Sequence, residues 1–297
     1  MADSQHPIKA MPQNAFSIVT LTGIATSPHS PPADLVLRRE TPLANTVLQY
    51  NGRDPSDGLP RKSRLPPPRN LRLCLSLVGC EIGSGDVSRV YAAEVVPSRS
   101  TPHLQGRILP PLVVKVSRRG MANVLRAEAQ NYAEMEILQG HVIPRCYGLY
   151  SAAIPDDVQF WPWEGDAQVA GDDKSYHSLP EDEELFIPNV VTILVMERLG
   201  EQAAVGQEDF SEIQAMYKDI SSLGLCHLDM SEKNILKAPK DPALPVRTSP
   251  HWTKPYDFRI VDFHRTRRAN LRNDLVAVRN VMALGSLFGR DVLTDMS

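Results

Sequence analysis

The stretch His227-Leu-Asp-Met-Ser-Glu-Lys-Asn-Ile-Leu236 carries more chemical information than any other part of this sequence. It follows an amphipathic helical pattern and places Asp229 and Asn234 in one short polar loop. An aspartate in such a loop can accept the proton of a hydroxyl group, and an asparagine oxygen can bind a divalent metal ion. His227 is then placed to support the loop backbone. Taken alone, Asp229 is also typical of a solvated turn.

A second carboxylate stands at the end of an apolar strand pattern, in Phe258-Arg-Ile-Val-Asp262-Phe263. Mg²⁺ prefers hard oxygen ligands, and a carboxylate at a strand end can supply one. As a single feature, Asp262 is also compatible with a simple cap. Because it follows the 227–236 stretch on the next predicted strand, chance is a poor explanation of the two features together.

A glycine turn joins two strand patterns at Gly83-Ser84-Gly85 and is followed by Val90. Because glycine has no Cβ, the backbone N–H groups of such a turn can approach phosphate oxygens closely. Glycine turns between strands are common, so this motif alone is a weak indication of nucleotide binding. A dinucleotide-binding βαβ unit is disfavoured, since a strand follows the glycines where that unit requires a helix.

A lysine, Lys115, lies inside the short apolar strand Leu112–Val116. A buried ammonium group needs a carboxylate or a phosphate as its partner, although a lysine on an edge strand can instead extend to water. The helical pattern that follows offers carboxylates, of which Glu128 is favoured by its place near the N-terminal half of the helix. Glu134 and Glu136 are its competitors.

Taken in order, these features resemble the motifs of the protein kinase-like superfamily over roughly residues 71–287. The segment from Glu128 to Gly148 further resembles the small kinase-like proteins that are numerous in fungi. The resemblance implies an α+β fold with two lobes, an antiparallel β N-lobe with one helix and a truncated, mainly helical C-lobe. It also identifies Ile193–Leu199 as the fifth strand and hinge of that family.

The resemblance implies a role for each site residue. Asp229, Lys115 and Asn234 would be catalytic. Mg²⁺ would be bound by Asn234 and Asp262, and ATP would be the nucleotide, with Met196 as the gatekeeper. The residues that would bind ATP are Gly83, Ser84, Gly85, Val90, Val113, Lys115, Glu128, Met196, Glu197, Leu199 and Leu236.

Three departures from the family pattern lie around these motifs. Leu228 replaces the arginine that in many protein kinases receives an activation-loop phosphate, so regulation of that kind is not expected. His264 replaces the usual glycine, which removes backbone freedom and predicts a stiffer Asp262. Only 35 residues follow Asp262, and they contain no Ala-Pro-Glu motif, so a shortened helical lobe is expected.

Basic side chains near these loops have two interpretations. Lys233 can either reach the transferred phosphate or lie exposed at the surface. The arginines that follow Asp262 can either hold an acidic substrate or form a solvated basic face, and they are Arg265, Arg267, Arg268 and Arg272.

Proline placement predicts the organisation of the chain. Residues 1–70 hold eleven of the 25 prolines and predict a loosely ordered leader with one or two short strands. Residues 71–200 would form the N-lobe and hinge, with insertions at 97–111 and 155–188. Residues 201–297 would form the shortened C-lobe with the catalytic and metal-binding loops.

Charge and hydropathy exclude several classes of partner. The net charge of −3 gives no positive field for nucleic acid or an anionic membrane. The N-terminal residues lack the basic and apolar segments of a signal peptide, and no apolar run is long enough to span a bilayer. A cytoplasmic or nuclear location is therefore expected.

The four cysteines lack Cys-x-x-Cys spacing and are expected to be free thiols.

The leading hypothesis is an ATP-dependent phosphotransferase that transfers the γ-phosphate to a hydroxyl group, a protein Ser/Thr kinase by the weight of the family. Its partners would be ATP and either a protein or a small-molecule acceptor. A pseudokinase or truncated kinase-like scaffold is the first alternative. A small-molecule kinase of the aminoglycoside or choline kinase type is the second.

Overall fold

The computed structural model describes residues 9–27, 30–40, 63–66, 69–99, 107–166, 189–239, 244, 249, 252–268 and 284–285. The chain divides into two compact units, each assembled from separated stretches, whereas the sequence predicts a leader followed by two consecutive lobes. The first unit comprises Met1–Thr41, Leu65–Arg126 and Tyr147–Met196, and the second Pro42–Arg64, Ala127–Cys146 and Glu197–Ser297.

Two α-helices stand where the sequence predicts amphipathic helices, at α1 (Ala122–Glu134) and α2 (Phe210–Ser222). None of the helices that the structure describes is long and apolar enough to cross a membrane. The strands are β1 (Lys9–Ala10), β2 (Phe16–Ser27), β3 (Ser30–Arg39), β4 (Leu71–Ser84), β5 (Ser88–Val95), β6 (Arg107–Ile108), β7 (Leu112–Ser117), β8 (Cys146–Ala153), β9 (Gln159–Phe160), β10 (Val190–Glu197), β11 (Leu225–Cys226), β12 (Ile235–Lys237), β13 (Phe258–Ile260) and β14 (Arg267–Arg268).

Seven strands of the first unit close into a ring. Neighbouring strands follow the order β3, β8, β10, β7, β5, β4 and β2, and β2 pairs in turn with β3. The short strand β9 is attached to β2. The core of this unit includes the fully buried side chains of Phe16, Val19, Leu73 and Val114. The ring departs from the predicted antiparallel N-lobe, because β2 and β4 run parallel.

The structure has two long strands before residue 70, where the sequence predicts a loosely ordered leader with one or two short strands. Strands β2 and β3 are 12 and 10 residues long, and β2 pairs with β3, β4 and β9. Phe16, Leu21 and Leu37 are completely buried. The run from Phe16 to Leu21 is rich in aromatic and β-branched residues, a strand signal that the density of prolines conceals in the sequence.

Several predicted segments lie outside the described residues. They are residues 41–62 of the leader, 100–106 of the first insertion, 167–188 of the second, and 269–283 and 286–297 of the predicted C-lobe. The four cysteines lie within the described residues, and none of them forms a disulfide.

The second unit holds α2, most of α1 and two short antiparallel ribbons. Strand β11 pairs with β14, and β12 pairs with β13. The buried side of α2 carries Ile213, Met216, Tyr217 and Ile220, at the spacing of three and four residues from which the helix is predicted. The ribbons are short, but they set the position of the polar loops.

Alanine at Leu37 is expected to test the place of β3 in the core. Because Leu37 is completely buried, Leu37→Ala should lower the free energy of unfolding by about 2–4 kcal/mol. Its neighbour Val36 is 47% exposed, so Val36→Ala should change it by about 0.5 kcal/mol or less. Urea denaturation measures both values. A Leu37 variant as stable as the Val36 variant would contradict the assignment.

Candidate functional site

The β12–β13 ribbon brings the two predicted metal ligands to the same place. Asn234 directly precedes β12, and Asp262 stands two residues after β13. In the antiparallel register Ile235 faces Ile260, and the Val261 N–H donates to the Asn234 carbonyl at 3.0 Å. The ladder therefore sets the backbones of Asn234 and Asp262 close together at one end of the ribbon.

The buried Asn234 side chain ties the polar loop to this ribbon. Its Nδ2 donates to the Asp229 carbonyl at 2.8 Å. The amide nitrogen is thereby engaged, which leaves the amide oxygen as the atom that can bind a cation. Hydrogen bonds thus connect Asp229, Asn234 and Val261, the residue before Asp262, within the second unit.

His227 joins the polar loop to the residue that precedes Asp262. Its Nδ1 accepts a hydrogen bond from the Asp229 N–H at 3.1 Å, so the neutral imidazole carries its proton on Nε2, 3.4 Å from the Val261 carbonyl. Burial lowers the pKa of His227. The Phe263 ring packs edge-on against the imidazole, with centroids 5.1 Å apart. In its neutral form the histidine therefore supports the loop backbone.

Asp262 is the one non-glycine residue with a left-handed backbone among those that the structure describes, with φ at 69°. Aspartate tolerates this conformation better than most residues, but it persists only where surrounding contacts fix it. His264 Nδ1 lies 2.9 Å from Asp262 Oδ1 and so can orient the carboxylate. The positive φ falls on Asp262 and not on His264. The backbone of His264 therefore needs no conformation that is reserved for glycine, and histidine causes no backbone strain at this position.

Helix α1 holds the segment that follows Asp262. Asn131 Nδ2 donates to the carbonyls of Phe263 and Thr266, at 2.7 and 3.1 Å. Tyr132 packs edge-on against Phe263, with ring centroids 5.2 Å apart. The motifs do not include Asn131. A polar residue among the apolar positions of a predicted helix is the sequence signal that could have identified it.

Glu128 lies on the same helix and is completely buried. Burial raises the pKa of the Tyr132 hydroxyl well above its usual value, and the negative charges of Glu128 and Asp262 raise it further. Both carboxylates therefore lie near this phenol, within the second unit. The predicted partner of Glu128 is Lys115, which lies on β7 in the first unit and is 7% exposed. The pairing of the two stays a prediction.

The competing carboxylates on and after α1 have other partners. Glu134 Oε2 accepts from Arg268 Nη2 at 2.9 Å. Glu136 Oε1 accepts from the Arg64 N–H at 2.8 Å. Both competing carboxylates are therefore engaged by partners other than a lysine.

The predicted phosphate turn is the tip of the β4–β5 hairpin in the first unit. Gly83 faces Val90 across the hairpin, and the Gly85 N–H donates to the Ser88 carbonyl at 3.0 Å. Neither glycine has a positive φ. A Cβ added at Gly83 would lie 3.6 Å from Val90, and one at Gly85 would lie 3.9 Å from the Ser88 oxygen, which are ordinary contacts. The fold therefore does not require glycine here, whereas the close approach of a ligand would.

Three strands place the predicted nucleotide-binding residues of the first unit on one sheet face. Val90 faces Lys115 in the register of β5 and β7, and Gly83 faces Val90 in the register of β4 and β5. Directly opposed residues share a face, as do residues two apart on a strand. Gly83, Val90, Val113 and Lys115 thus lie on the same side, and the intervening Val114 belongs to the core.

Glu197 ends β10, at the predicted hinge. Its carboxylate accepts hydrogen bonds from the Arg145 N–H at 3.1 Å and from Arg145 Nη1 at 2.6 Å, and its own N–H donates to the Arg145 carbonyl at 2.9 Å. The Glu197 N–H is therefore occupied, which leaves the Glu197 carbonyl and the Leu199 backbone for the predicted binding of ATP. Met196 is buried, and Leu199 and Leu236 are half-buried.

The basic residues near the loops take different positions. Arg268 forms the ion pair with Glu134. Lys233, Arg265 and Arg267 are exposed, so both interpretations of these three stay open. The predicted contribution of residue 272 lies outside the described residues.

The oxygen donors of Asn234 and Asp262 fit Mg²⁺. Across the residues that the structure describes, no group of three or more His, Cys, Asp or Glu residues is arranged to hold a metal ion. Mg²⁺ does not need such a cage, because it usually takes one or two protein ligands and completes its shell with water and substrate phosphates. The amide oxygen of Asn234 and the carboxylate of Asp262, at the end of one ribbon, would supply these two protein ligands.

Comparison with known proteins gives little similarity in sequence. No protein-family model matches the chain, and no curated protein matches it. One solved structure that matches is that of the kinase domain of the Plasmodium protein PF14_0431, with a TM-score of 0.39 and 15% identity. The match covers 67% of this chain and 52% of that one, so the chain spans about half of that kinase domain. The case for a function therefore rests on this chain's own residues.

Glutamine at His227 is expected to change the pH dependence of stability. Burial lowers the pKa of the folded histidine below its unfolded value of about 6.5, so the unfolded chain binds this proton more tightly. The wild type should therefore lose stability as the pH falls below about 6.5, with a contribution from this group of at most about 1.4 kcal/mol per pH unit. That contribution should be missing from His227→Gln.

Urea denaturation of wild type and variant, from about pH 7.5 to about pH 5, measures this difference. The profiles should converge at low pH, because only the wild type loses the contribution of His227. Profiles that stay parallel over the whole range would contradict a neutral, buried histidine at this position.

Proposed function

We propose that this protein is an ATP-dependent phosphotransferase of the protein kinase-like type, which transfers the γ-phosphate of ATP to a hydroxyl group. The observation that carries the proposal is the arrangement of Asp229, Asn234 and Asp262, held together by the β12–β13 ribbon and His227. A proton acceptor beside two oxygen ligands for a cation is what phosphoryl transfer to a hydroxyl group uses.

The second unit would supply the proton acceptor, the metal ligands and the backbone groups that bind adenine. Asp229 would orient the acceptor hydroxyl and accept its proton as the new bond to phosphorus forms. Asn234 and Asp262 would hold Mg²⁺, which when bound offsets the charge of the phosphate oxygens. The Glu197 carbonyl and the backbone of Leu199 would bind adenine.

The first unit would supply the groups that act on the phosphates. The backbone of residues 84–87 would cover them, at a turn whose glycines the fold itself does not require. Lys115 would bind the α- and β-phosphates, with Glu128 as the partner that aligns its ammonium group. Val90 and Val113 would pack against the purine ring, as Leu236 would from the second unit.

A nucleotide-binding scaffold without turnover is the second candidate. His264 Nδ1 lies 2.9 Å from Asp262 Oδ1, and this contact engages an oxygen that a metal ion would otherwise use. The same residues would then bind nucleotide without transferring phosphate.

The acceptor proposed first is a serine or threonine of a protein, because most members of the superfamily act on such groups. A small hydroxylated molecule is the alternative. Leu228 is 39% exposed at the position where many protein kinases have a phosphate-binding arginine. The small-molecule branch of the superfamily also lacks that arginine.

Asparagine at Asp229 is expected to abolish phosphate transfer while leaving nucleotide binding intact. Removal of the proton acceptor should lower the turnover number by roughly 100- to 10,000-fold. The affinity for MgATP, measured by calorimetry, should change little, because Asp229 would contact the acceptor and not the nucleotide. Transfer is followed with radiolabelled ATP, against a mixture of proteins and against a panel of aminoglycosides and choline.

The outcomes separate the candidates. Absence of MgATP binding to the wild type would overturn the proposal. Binding without turnover, unchanged in Asp229→Asn, would select the scaffold, and transfer only to metabolites would select a small-molecule kinase.

Alanine at Gly83 is expected to weaken nucleotide binding without destabilising the fold. An added Cβ meets only ordinary contacts inside the protein, so the free energy of unfolding should stay within about 1 kcal/mol of wild type. The same Cβ would obstruct the approach of phosphate oxygens and should weaken MgATP binding by about tenfold.

Gly79 on the same strand is the matched control. Its φ of +70° is a conformation that alanine adopts only with strain, so Gly79→Ala should cost about 1–2 kcal/mol of stability. Because Gly79 lies away from the turn, MgATP affinity should be nearly unchanged. The reverse pattern for the two variants would contradict the phosphate turn.

A further inference from the structure

We propose that Asp166 is a positioning residue for the glycine turn, which it holds through Arg118 in the conformation that receives phosphates. This inference rests on the proposed function, because it assigns to the turn a ligand that only that function supplies. Asp166 belongs to none of the motifs and follows β9 in the chain. Its contacts all lie within the first unit.

Arg118, directly after β7, contacts the glycine turn at three points. Its Nε donates to the Gly85 carbonyl at 2.7 Å, and its Nη2 donates to the Ser84 hydroxyl at 3.1 Å. Its backbone N–H donates to the Val87 carbonyl at 2.9 Å. Because the guanidinium is planar and its donors are fixed relative to one another, these contacts define the orientation of the turn.

The Asp166 carboxylate holds the Arg118 guanidinium in place. Its Oδ1 accepts from Arg118 Nη1 and from Arg89 Nη2, the latter at 2.8 Å, and its Oδ2 accepts from the Arg119 N–H at 3.2 Å. The side chain is only 5% exposed, so water screens these contacts weakly. Without this carboxylate, the two guanidinium groups would lose the negative charge that they share, and Arg89 would keep its longer ion pair with Glu81, at 3.5 Å.

The segment that carries Asp166 is itself fastened to the sheet. The Asp166 N–H donates to the Trp163 carbonyl at 2.9 Å, and Trp163 Nε1 donates to the Ser117 carbonyl at 2.7 Å. Trp161 packs edge-on against Tyr91, with ring centroids 5.0 Å apart. Asp166 is therefore a rigid support for Arg118 and not a mobile surface group.

The support matters for binding because glycine has unusual backbone freedom. A turn with two glycines that need no special φ would sample many conformations, and a ligand would have to select one of them at an entropic cost. The contacts of Arg118 with Ser84 and Gly85 restrict the turn before a ligand arrives. Loss of Asp166 should therefore weaken binding of the phosphates more than it affects the transfer step.

The test compares Asp166→Asn with Asp157→Asn, a matched control that removes the same charge from an exposed position just before β9. Hydrogen exchange of residues 83–90, measured by mass spectrometry without nucleotide, should be at least about threefold faster in Asp166→Asn. The MgATP dissociation constant and KM should rise about five- to tenfold, while kcat stays within about twofold. Asp157→Asn should match wild type in each measurement.

The Arg118→Gln variant tests whether Asp166 acts through Arg118. Since Asp166 acts through Arg118, the double variant should bind MgATP no more weakly than Arg118→Gln alone. Additive losses, or an Asp166→Asn variant with unchanged exchange and affinity, would overturn the inference. Faster exchange in a protein whose wild type binds no MgATP would overturn the proposed function and leave Asp166 a structural residue only.

Discussion

The backbone ladder between β12 and β13 is the constraint on which the candidate site depends. Each strand has three residues, so the ribbon is held mainly by its flanks. These are the hydrogen bond from the Val261 N–H to the Asn234 carbonyl and the His227 imidazole, which spans from the Asp229 N–H to Val261. The ladder brings Asn234 near Asp262 across a long interval of sequence. The left-handed φ of Asp262 follows from the same constraint, because a strained conformation persists only where neighbouring contacts fix it.

Closure of the first unit depends on strands that carry no functional motif. Strand β2 lies between β3 and β4, so the ring would open without it. Its parallel pairing with the first residues of β4 fixes the base of the hairpin whose tip is the glycine turn. Arg118 fixes that tip from the other side. The turn is therefore held at both ends by parts of the chain that motif matching ignores.

The polar loops could be predicted from the sequence because their chemistry is local. His227 and Asn234 are seven residues apart, and the hydrogen bonds of such a loop need few distant partners. The parallel pairing of β2 with β4 could not be predicted, because the alternation of each strand is compatible with several neighbours and registers. The same is true of Asp166 and Arg118, which are 48 residues apart. A sequence shows that both charges exist, but only the folded sheet decides which of many arginines meets which carboxylate.

Stability alone does not explain the polar groups buried in the second unit. Asn131, His227 and Asn234 are at most 4% exposed, and their hydrogen bonds do little more than offset the loss of water. Apolar side chains of similar volume often replace such buried polar groups with no loss of stability, and sometimes with a gain. What the network supplies instead is orientation, since it fixes one amide oxygen and the backbone on either side of Asp229 and Asp262 before any ligand binds. Preorganised polar groups of this kind are what electrostatic catalysis uses, whereas a unit that only had to fold would have no need of them.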